Sequence, residues 1–220
     1  MSQEIFSQCD EYIQNLFAEE DEPLANIIKQ IDENNLPQQS VSAVQGKLLQ
    51  VMASACNAKR ILEVGTFVGY STVWLARALP ADGKVITIEL EENHAAFARN
   101  NFKACNVSHL IDLRVGNALD ILHQMKKNME APFDFVFIDA DKKPYVEYFL
   151  AALELSRRGT IIISDNVIRE GNVLQKSTDE KVIGVQRFNK MLAENNRVVA
   201  NILQTVGNKS HDGMAIAVVK

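Results

Sequence analysis

From Arg60 to the end of the chain, short apolar segments alternate with segments whose apolar residues recur at helical spacing. This alternation constrains the fold more than any other feature of the sequence. Strands that are separated by helices form a parallel sheet with helices packed on both faces. The predicted strands lie at residues 61–64, 85–88, 111–115, 133–138, 160–163, 198–203 and 214–219.

The two ends of the chain depart from this alternation. No helix separates the last two predicted strands, so one of them is expected to run antiparallel, with residues 208–212 as the loop. Near the N-terminus, Pro23 suits the start of a second helix and Ser40 is expected to cap a third. We therefore predict one α/β domain, in which helices over residues 1–58 cover a core at residues 59–220. The fold class is a Rossmann-like, doubly wound, mostly parallel seven-stranded sheet with one antiparallel strand.

Charge and composition narrow the class of protein. The formal net charge is −5 and no cluster of Lys and Arg offsets it, which argues against nucleic acid as a partner. Cys9, Cys56 and Cys105 are far apart and odd in number, so no zinc site or disulfide framework is expected and a reducing compartment is favoured. The N-terminus lacks a basic start followed by an apolar run, and no stretch approaches the roughly 20 apolar residues of a membrane span. These features predict a cytoplasmic protein without a membrane partner.

A loop with two glycines follows the first predicted strand. Open α/β sheets bind ligands at the carboxyl ends of their strands, and Gly65 and Gly69 would let the backbone approach a ligand closely. The second and third glycines of the dinucleotide fingerprint are missing, because Phe67 and Val68 stand there, so a ligand without a pyrophosphate is indicated. Glu63 would repel a phosphate and attract a cation such as a sulfonium that carries an amino-acid group. The alternative is a plain strand-to-helix turn.

Polar residues at the next two strand ends are consistent with a nucleoside pocket. Glu89 ends the second predicted strand, where an acid can accept hydrogen bonds from both ribose hydroxyls. Asn117 and Ala118 follow the third strand and could flank an adenine ring. The alternative for Glu89 is a solvated acid, as its neighbours Glu91 and Glu92 are expected to be.

Oxygen-bearing side chains follow the fourth and fifth predicted strands. Asp139 ends the fourth strand, and Asp165 and Asn166 end the fifth. Neighbouring strands lie about 4.8 Å apart, so these three side chains would converge at one edge of the pocket. Two carboxylates and an amide oxygen suit a hard divalent cation, Mg²⁺ in the first place, with Mn²⁺ or Ca²⁺ as alternatives. Acids at strand ends can instead simply cap the following helices.

A divalent cation at this place would suit methylation of a phenol. A phenol hydroxyl has a pKa of about 10 and is a poor nucleophile at neutral pH, whereas coordination to a dication lowers that pKa. Lys142 follows Asp139 by three residues and is a candidate general base, although it could also be a surface lysine. Attack on a sulfonium methyl is an in-line displacement, which depends on positioning.

With these residues in place, the chain resembles the cation-dependent O-methyltransferases, the group of caffeoyl-CoA and catechol O-methyltransferases, and in particular their small bacterial members. The resemblance runs from about Val41 to the C-terminus. Between Asp139 and Lys142 the chain has Ala140 and Asp141, as in the caffeoyl-CoA branch, and not the bulky aromatic pair of catechol O-methyltransferase. The motifs that carry the resemblance are Glu63-Val64-Gly65-Thr66, Gly69-Tyr70-Ser71, Phe137-Ile138-Asp139-Ala140-Asp141-Lys142, Ser164-Asp165-Asn166-Val167 and Asp212-Gly213.

The resemblance implies a set of functional residues and a cofactor, S-adenosylmethionine (SAM). The metal ligands would be Asp139, Asp165 and Asn166, and Lys142 and Asp139 would be catalytic. The implied acceptor is a small catechol-like aromatic: catechol, a flavonoid, caffeic acid or a caffeoyl ester. The resemblance also implies a homodimer. The implied SAM contacts are Val41, Glu63, Gly65, Thr66, Ser71, Glu89, Ala118 and Asp139, to which the strand-end position adds Asn117.

Three other functions are compatible with the predicted sheet. The first is an NAD-dependent oxidoreductase, which the missing glycines oppose. The second is a methyltransferase that acts on nucleic acid or protein, which the negative charge and the metal ligands oppose. The third is a SAM-binding module without catalysis, which the presence of Lys142 with the full acid set opposes.

Overall fold

Seven strands form the central sheet of the computed structural model, which describes residues 3–220. In chain order the strands are β1 (Arg60–Val64), β2 (Lys84–Glu89), β3 (Ile111–Val115), β4 (Phe133–Ile138), β5 (Ser156–Ser164), β6 (Val198–Thr205) and β7 (Asp212–Val219). Their order across the sheet is β3-β2-β1-β4-β5-β7-β6. Neighbouring strands pair in parallel except that β7 is antiparallel to both β5 and β6. The predicted fold class is confirmed, and β7 is the antiparallel strand.

Helices cover both faces of the sheet. They are α1 (Gln3–Phe17), α2 (Glu22–Glu33), α3 (Ala43–Ala55), α4 (Tyr70–Ala76), α5 (Glu92–Ala104), α6 (Ala118–Lys127), α7 (Tyr145–Glu154) and α8 (Glu180–Glu194), with short 3-10 helices at Ser108–Leu110 and Arg169–Leu174. One buried apolar cluster joins α2, α3, α4 and α5 to one face, and a second joins α6, α7 and α8 to the other. Within residues 3–220, no helix has the length and apolar character needed to cross a membrane.

The prediction that Ser40 caps the third helix is wrong, because Ser42 occupies the N-cap of α3. The hydroxyl of Ser42 accepts a hydrogen bond from the backbone N–H of Gln45, and the Gln45 side chain accepts one from the backbone N–H of Ser42. This reciprocal capping box needs Gln or Glu three residues after the cap, and position 45 satisfies it for Ser42 alone. The hairpin loop also differs from the prediction, since it spans residues 206–211 and Asp212 already pairs with Thr205.

Backbone hydrogen bonds continue past the carboxyl ends of the central strands and fix their tips against one another. The N–H of Asp139 donates to the carbonyl oxygen of Val64 at 2.9 Å, and the N–H of Asp165 donates to that of Ile138 at 3.0 Å. The residues that follow β1, β4 and β5 are therefore held at neighbouring positions on one edge of the sheet. The strand order reverses between β1 and β4, and the carboxyl ends of the strands at such a switch point are where open α/β sheets bind ligands.

Candidate active site

A cavity of about 980 Å³ opens at the carboxyl ends of the parallel strands. Its wall is built from the segments that follow β1, β2, β3, β4 and β5, and its mouth from α1, the start of α3 and the β6–β7 loop. With the exception of Glu63, every predicted site residue lines it. These lining residues are Val41, Gly65, Thr66, Ser71, Glu89, Asn117, Ala118, Asp139, Lys142, Asp165 and Asn166.

The loop after β1 can follow its path because of two glycines. Gly65 has φ +99°, and a Cβ added there would lie 2.0 Å from the carbonyl oxygen of Asp139. Gly69 has φ +89°, and a Cβ there would overlap the ring of Phe102. Positive φ angles of this kind favour glycine, and the missing side chains leave the space in which the loop meets the tip of β4. The loop therefore forms a backbone-lined wall that a flat or extended ligand can approach.

Glu63 lies beneath this loop and not in the cavity wall, and its side chain is fully buried. Its carboxylate accepts hydrogen bonds from the hydroxyls of Ser71, Thr72 and Thr87. Burial raises the pKa of Glu63 to about 7, although the three hydroxyl donors lower it. Because Ser71 lines the cavity, Glu63 acts on the site by fixing the Ser71 hydroxyl and the start of α4.

Glu89 connects the glycine loop to the tip of β2. Its side chain accepts hydrogen bonds from the backbone N–H of Phe67 at 2.7 Å and from that of Glu91 at 3.0 Å. One bond goes to each carboxylate oxygen, and since each oxygen can accept two, both retain acceptor capacity toward the cavity. The Nδ1 atom of His94 lies 3.5 Å from one of these oxygens. The geometry suits recognition of paired hydroxyls.

Asn117 has a local structural role as well as its place in the cavity lining. Its side-chain oxygen accepts hydrogen bonds from the backbone N–H groups of Leu119 and Asp120, which makes it the N-cap of α6. A side-chain oxygen that is engaged in this way is less available to a ligand. Ala118 begins α6 beside it and leaves room next to the strand tips.

Asp139, Asp165 and Asn166 line the cavity at the tips of the neighbouring strands β4 and β5. Asp165 is 2% exposed, and its carboxylate accepts a hydrogen bond from the backbone N–H of Asn166 at 2.8 Å. Burial, followed by the negative charge of Asp139, raises the pKa of Asp165 well above its ordinary value. Asn166 has φ +58°, a left-handed conformation that turns the chain sharply after β5. Two carboxylates that are held close together in a buried place favour a bound cation.

Within residues 3–220, no group of three or more His, Cys, Asp or Glu side chains has the arrangement of a metal site. The predicted ligand set differs from such a group, since it has two carboxylates and one amide. Oxygen ligands of this composition fit Mg²⁺, Mn²⁺ or Ca²⁺, which keep water or substrate oxygens in their remaining positions.

Lys142 is 6% exposed and is held at the same wall. Its ammonium nitrogen lies 2.8 Å from Oδ1 of Asp139 and 3.2 Å from the hydroxyl oxygen of Tyr145. Lys143 differs, because its side chain lies at the surface and pairs with Glu180. The structure therefore places Lys142, and not its neighbour, within reach of a ligand that occupies the cavity.

Comparison with known proteins identifies the family. The profile of the O-methyltransferase family matches residues 14–218. The chain belongs to this O-methyltransferase family. It is 50% identical over 221 residues to a catechol O-methyltransferase from Niastella koreensis, and the match covers 100% of both proteins.

Solved structures agree with the family assignment. The O-methyltransferase TomG from Streptomyces achromogenes, in complex with SAM, has a TM-score of 0.96 and 46% identity, covering 100% of this chain and 99% of TomG. An O-methyltransferase from Bacillus cereus, in complex with SAH, has a TM-score of 0.96 and 44% identity, and the match covers 100% of both chains. These matches confirm the family resemblance that the sequence predicted. They also confirm the predicted enzyme class, a SAM-dependent O-methyltransferase.

Two residues near the site of this O-methyltransferase received no role from the sequence. Tyr145 is fully buried, and its hydroxyl lies between the tips of β4 and β5. Asp212 lines the cavity, and its Oδ1 atom accepts hydrogen bonds from the backbone N–H groups of Ile168, Arg169 and Gly213. The signal for Tyr145 was its spacing of three residues from Lys142, and the signal for Asp212 was its place in an Asp-Gly pair at the hairpin.

The cavity mouth of this O-methyltransferase joins segments that are far apart in the chain. Gln3 of α1 donates a side-chain hydrogen bond to the carbonyl oxygen of Gly207 at 2.6 Å, and Asp10 accepts one from the backbone N–H of Asn208 at 2.9 Å. Cationic side chains also line the cavity, among them those of Arg169 and Lys181. The mouth, where an acceptor would enter, is thus shaped by α1 together with the β6–β7 loop.

Proposed function

We propose that this O-methyltransferase transfers the methyl group of SAM to a hydroxyl of a small catechol-like aromatic with the help of a divalent cation. The observation that carries the proposal is that one cavity wall holds Asp139, Asp165, Asn166 and Lys142 beside the Gly65 loop. Two ligand sites are needed side by side for this chemistry, one for a sulfonium and one for an activated hydroxyl. The catechol O-methyltransferase from Niastella koreensis supports the acceptor class.

The SAM molecule would lie along the carboxyl ends of β1, β2 and β3. Gly65 and Thr66 offer a close approach to backbone, Ser71 offers a hydroxyl, and Glu89 offers carboxylate oxygens for the two ribose hydroxyls. Ala118 and Asn117 would flank the adenine, and Val41 would close the pocket near the methionine end. The complexes of the two solved relatives with SAM and SAH support this cofactor.

The divalent cation, which we expect to be Mg²⁺, would be held by Asp139, Asp165 and Asn166. A cation bound there supplies Lewis acidity that lowers the pKa of an acceptor hydroxyl and fixes its position. Burial, and after it the negative charge of Asp139, raises the pKa of Asp165, and this supports the assignment because a cation would remove the repulsion between the two carboxylates.

Lys142 would act as the general base. In its neutral form it accepts the proton of the acceptor hydroxyl, whose oxygen attacks the methyl carbon of SAM. The carbon–sulfur bond breaks in line with this attack, and its electron pair returns to sulfur. The products are the methyl ether, S-adenosylhomocysteine and protonated Lys142. Asp139 lies 2.8 Å from the Lys142 nitrogen and would hold it toward the acceptor hydroxyl.

The function is tested by following methyl transfer from SAM to catechol, caffeic acid and a caffeoyl ester, with EDTA and after addition of excess Mg²⁺. We expect EDTA to abolish turnover and Mg²⁺ to restore it.

Asp165→Ala should remove activity and leave SAM affinity nearly unchanged. Asp120→Ala is the control, since its exposed carboxyl group lies on α6 outside the cavity. Equal turnover in excess chelator would contradict the role of the metal.

We further propose that the enzyme is a homodimer. No residue of α1 is buried, and its apolar side chains Tyr12, Leu16 and Phe17 are 67%, 55% and 66% exposed. A second copy of the chain would cover this apolar face. Sedimentation at micromolar concentration should give a dimer, and Phe17→Glu should shift it toward monomer while the control Leu174→Glu, an exposed apolar residue elsewhere, should not. A wild-type monomer at all concentrations would contradict the proposal.

A further inference from the structure

Tyr145 lies directly beneath the site, and the proposed reaction assigns it no role. It is the first residue of α7 and is fully buried. Its hydroxyl oxygen lies 2.7 Å from the carbonyl oxygen of Ile138 and 2.6 Å from that of Asp165. These two carbonyl groups belong to the tips of β4 and β5. One side chain therefore bridges the two strands that carry Asp139 and Asp165.

The bridge also includes Lys142, whose ammonium nitrogen lies 3.2 Å from the same hydroxyl oxygen. A phenol has one proton to donate, and its oxygen can accept. The Tyr145 hydroxyl therefore shares its single proton between the two carbonyl oxygens of the strand tips, and its oxygen accepts a hydrogen bond from Lys142.

This arrangement limits the directions in which the Lys142 amine can point. A neutral amine has two N–H bonds and one lone pair at tetrahedral positions around nitrogen. Asp139 at 2.8 Å and Tyr145 at 3.2 Å accept from two of these positions. The lone pair then occupies the remaining position, and Lys142 itself lines the cavity.

The carbonyl group of Asp165 precedes a residue with an unfavourable backbone conformation. The next residue, Asn166, has φ +58°, a conformation that a residue with a side chain adopts at some cost. A buried hydrogen bond from Tyr145 to the carbonyl oxygen of Asp165 fixes the orientation of the peptide between Asp165 and Asn166, and hence the backbone position of Asn166. The Tyr145 ring is fixed in turn by an edge contact with Phe188 at 5.1 Å between ring centroids.

We propose that Tyr145 is a positioning residue, which ties the tips of β4 and β5 together and directs the Lys142 amine into the cavity. The inference rests on the function proposed above. This positioning role differs from a purely structural one in its consequence. Removal of the Tyr145 hydroxyl oxygen should weaken metal binding and slow methyl transfer without changing SAM binding.

The test compares the wild type with Tyr145→Phe and Phe149→Leu in the presence of SAH. Phenylalanine keeps the ring and its packing on Phe188, so the first variant is expected to fold. Phe149 is buried on the same helix and also packs against Phe188, so Phe149→Leu loosens α7 without touching the strand tips. Mn²⁺ binding is measured by electron paramagnetic resonance without turnover, SAH binding by calorimetry, and kcat and the acceptor KM by assay.

We expect Tyr145→Phe to bind Mn²⁺ about tenfold more weakly and to lose about tenfold in kcat, with unchanged SAH affinity and acceptor KM. Phe149→Leu should lower the thermal midpoint and leave Mn²⁺ affinity and kcat unchanged. The inference alone fails if Tyr145→Phe matches a wild type that binds Mn²⁺ and turns over, or if Phe149→Leu reproduces the losses. If the wild type itself binds no Mn²⁺, the proposed function fails and the inference fails with it.

Discussion

At the scale of single residues, the site depends on polar groups that are buried beneath the cavity as much as on those that line it. Glu63 holds the hydroxyls of Ser71, Thr72 and Thr87 below the glycine loop. Its sequence position, two residues before Gly65, predicted a contact with SAM, whereas the structure places the carboxylate behind the loop. A linear pattern identifies a residue near a site, but it does not decide on which side of the backbone the side chain lies.

The buried carboxyl group of Glu63 makes stability depend on pH. Its pKa is about 7 in the folded protein and ordinarily 4.5, so between these values the folded protein retains a proton that the unfolded chain releases. This contribution to the free energy of unfolding is fully present below pH 4.5 and is lost as the pH rises to about 7. Glu63→Gln removes the dependence.

Urea unfolding at pH 5 and pH 8 measures the effect. The Glu63→Gln variant should gain stability relative to the wild type at the higher pH by a few kcal/mol, at about 1.4 kcal/mol per pKa unit. The control Glu33→Gln changes an exposed glutamate at the end of α2 and should follow the wild type at both values. Parallel pH profiles for Glu63→Gln and the wild type would show that the carboxyl group is not perturbed.

Substitution of Gly65 tests whether the loop after β1 packs against the tip of β4. Gly65→Ala places a Cβ 2.0 Å from the carbonyl oxygen of Asp139 at a φ of +99°, whereas Gly159→Ala imposes a φ of +88° in open space. The control should cost about 1 kcal/mol of stability from strain alone, and Gly65→Ala should cost about 3 kcal/mol and abolish measurable SAM binding. Chemical unfolding and calorimetry with SAM check both. Equal effects of the two substitutions would mean that the loop does not meet the tip of β4 as described.

At the scale of secondary-structure elements, the sequence predicted the features that depend on nearby residues. It did not predict those that depend on pairing with a distant strand. The antiparallel strand followed from the absence of a crossover between the last two strands. The start of β5 did not, because residues 156–159 are polar and join the strand only through the pairing of Ser156 with Phe133. Tyr145 likewise lies among the buried residues of α7, and in the sequence its spacing of three residues from Lys142 was the one feature that set it apart from a core residue.

The start of α3 gives a matched pair of substitutions at this scale. Ser42→Ala removes the capping box and should destabilise the protein by about 1 kcal/mol. Ser40→Ala removes a hydroxyl that is buried without a hydrogen-bond partner in the described chain, so it should be neutral or slightly stabilising. Thermal unfolding compares the two. A larger loss for Ser40→Ala would restore the original prediction that Ser40 is the cap.

At the scale of the whole molecule, the cavity is assembled from segments that only the fold brings together. The strand-order rule predicted that the ends of β1, β2, β4 and β5 would share one pocket, because parallel strands present their carboxyl ends at one edge. The sequence did not predict how the mouth of the cavity is built. Hydrogen bonds join Gln3 to Gly207 and Asp10 to Asn208, and these residues lie near opposite ends of the chain. No residue pattern indicates such contacts between a surface helix and a hairpin loop.

The central claim is that the tips of β4 and β5 hold a divalent cation beside the methyl donor. Crystals grown with Mn²⁺ and S-adenosylhomocysteine, measured for anomalous scattering at the manganese edge, test it most directly. We expect an anomalous peak about 2.1 Å from oxygen atoms of Asp139, Asp165 and Asn166, next to the sulfur of the bound nucleoside. A structure with the nucleoside in place but no peak between these three side chains would contradict the claim.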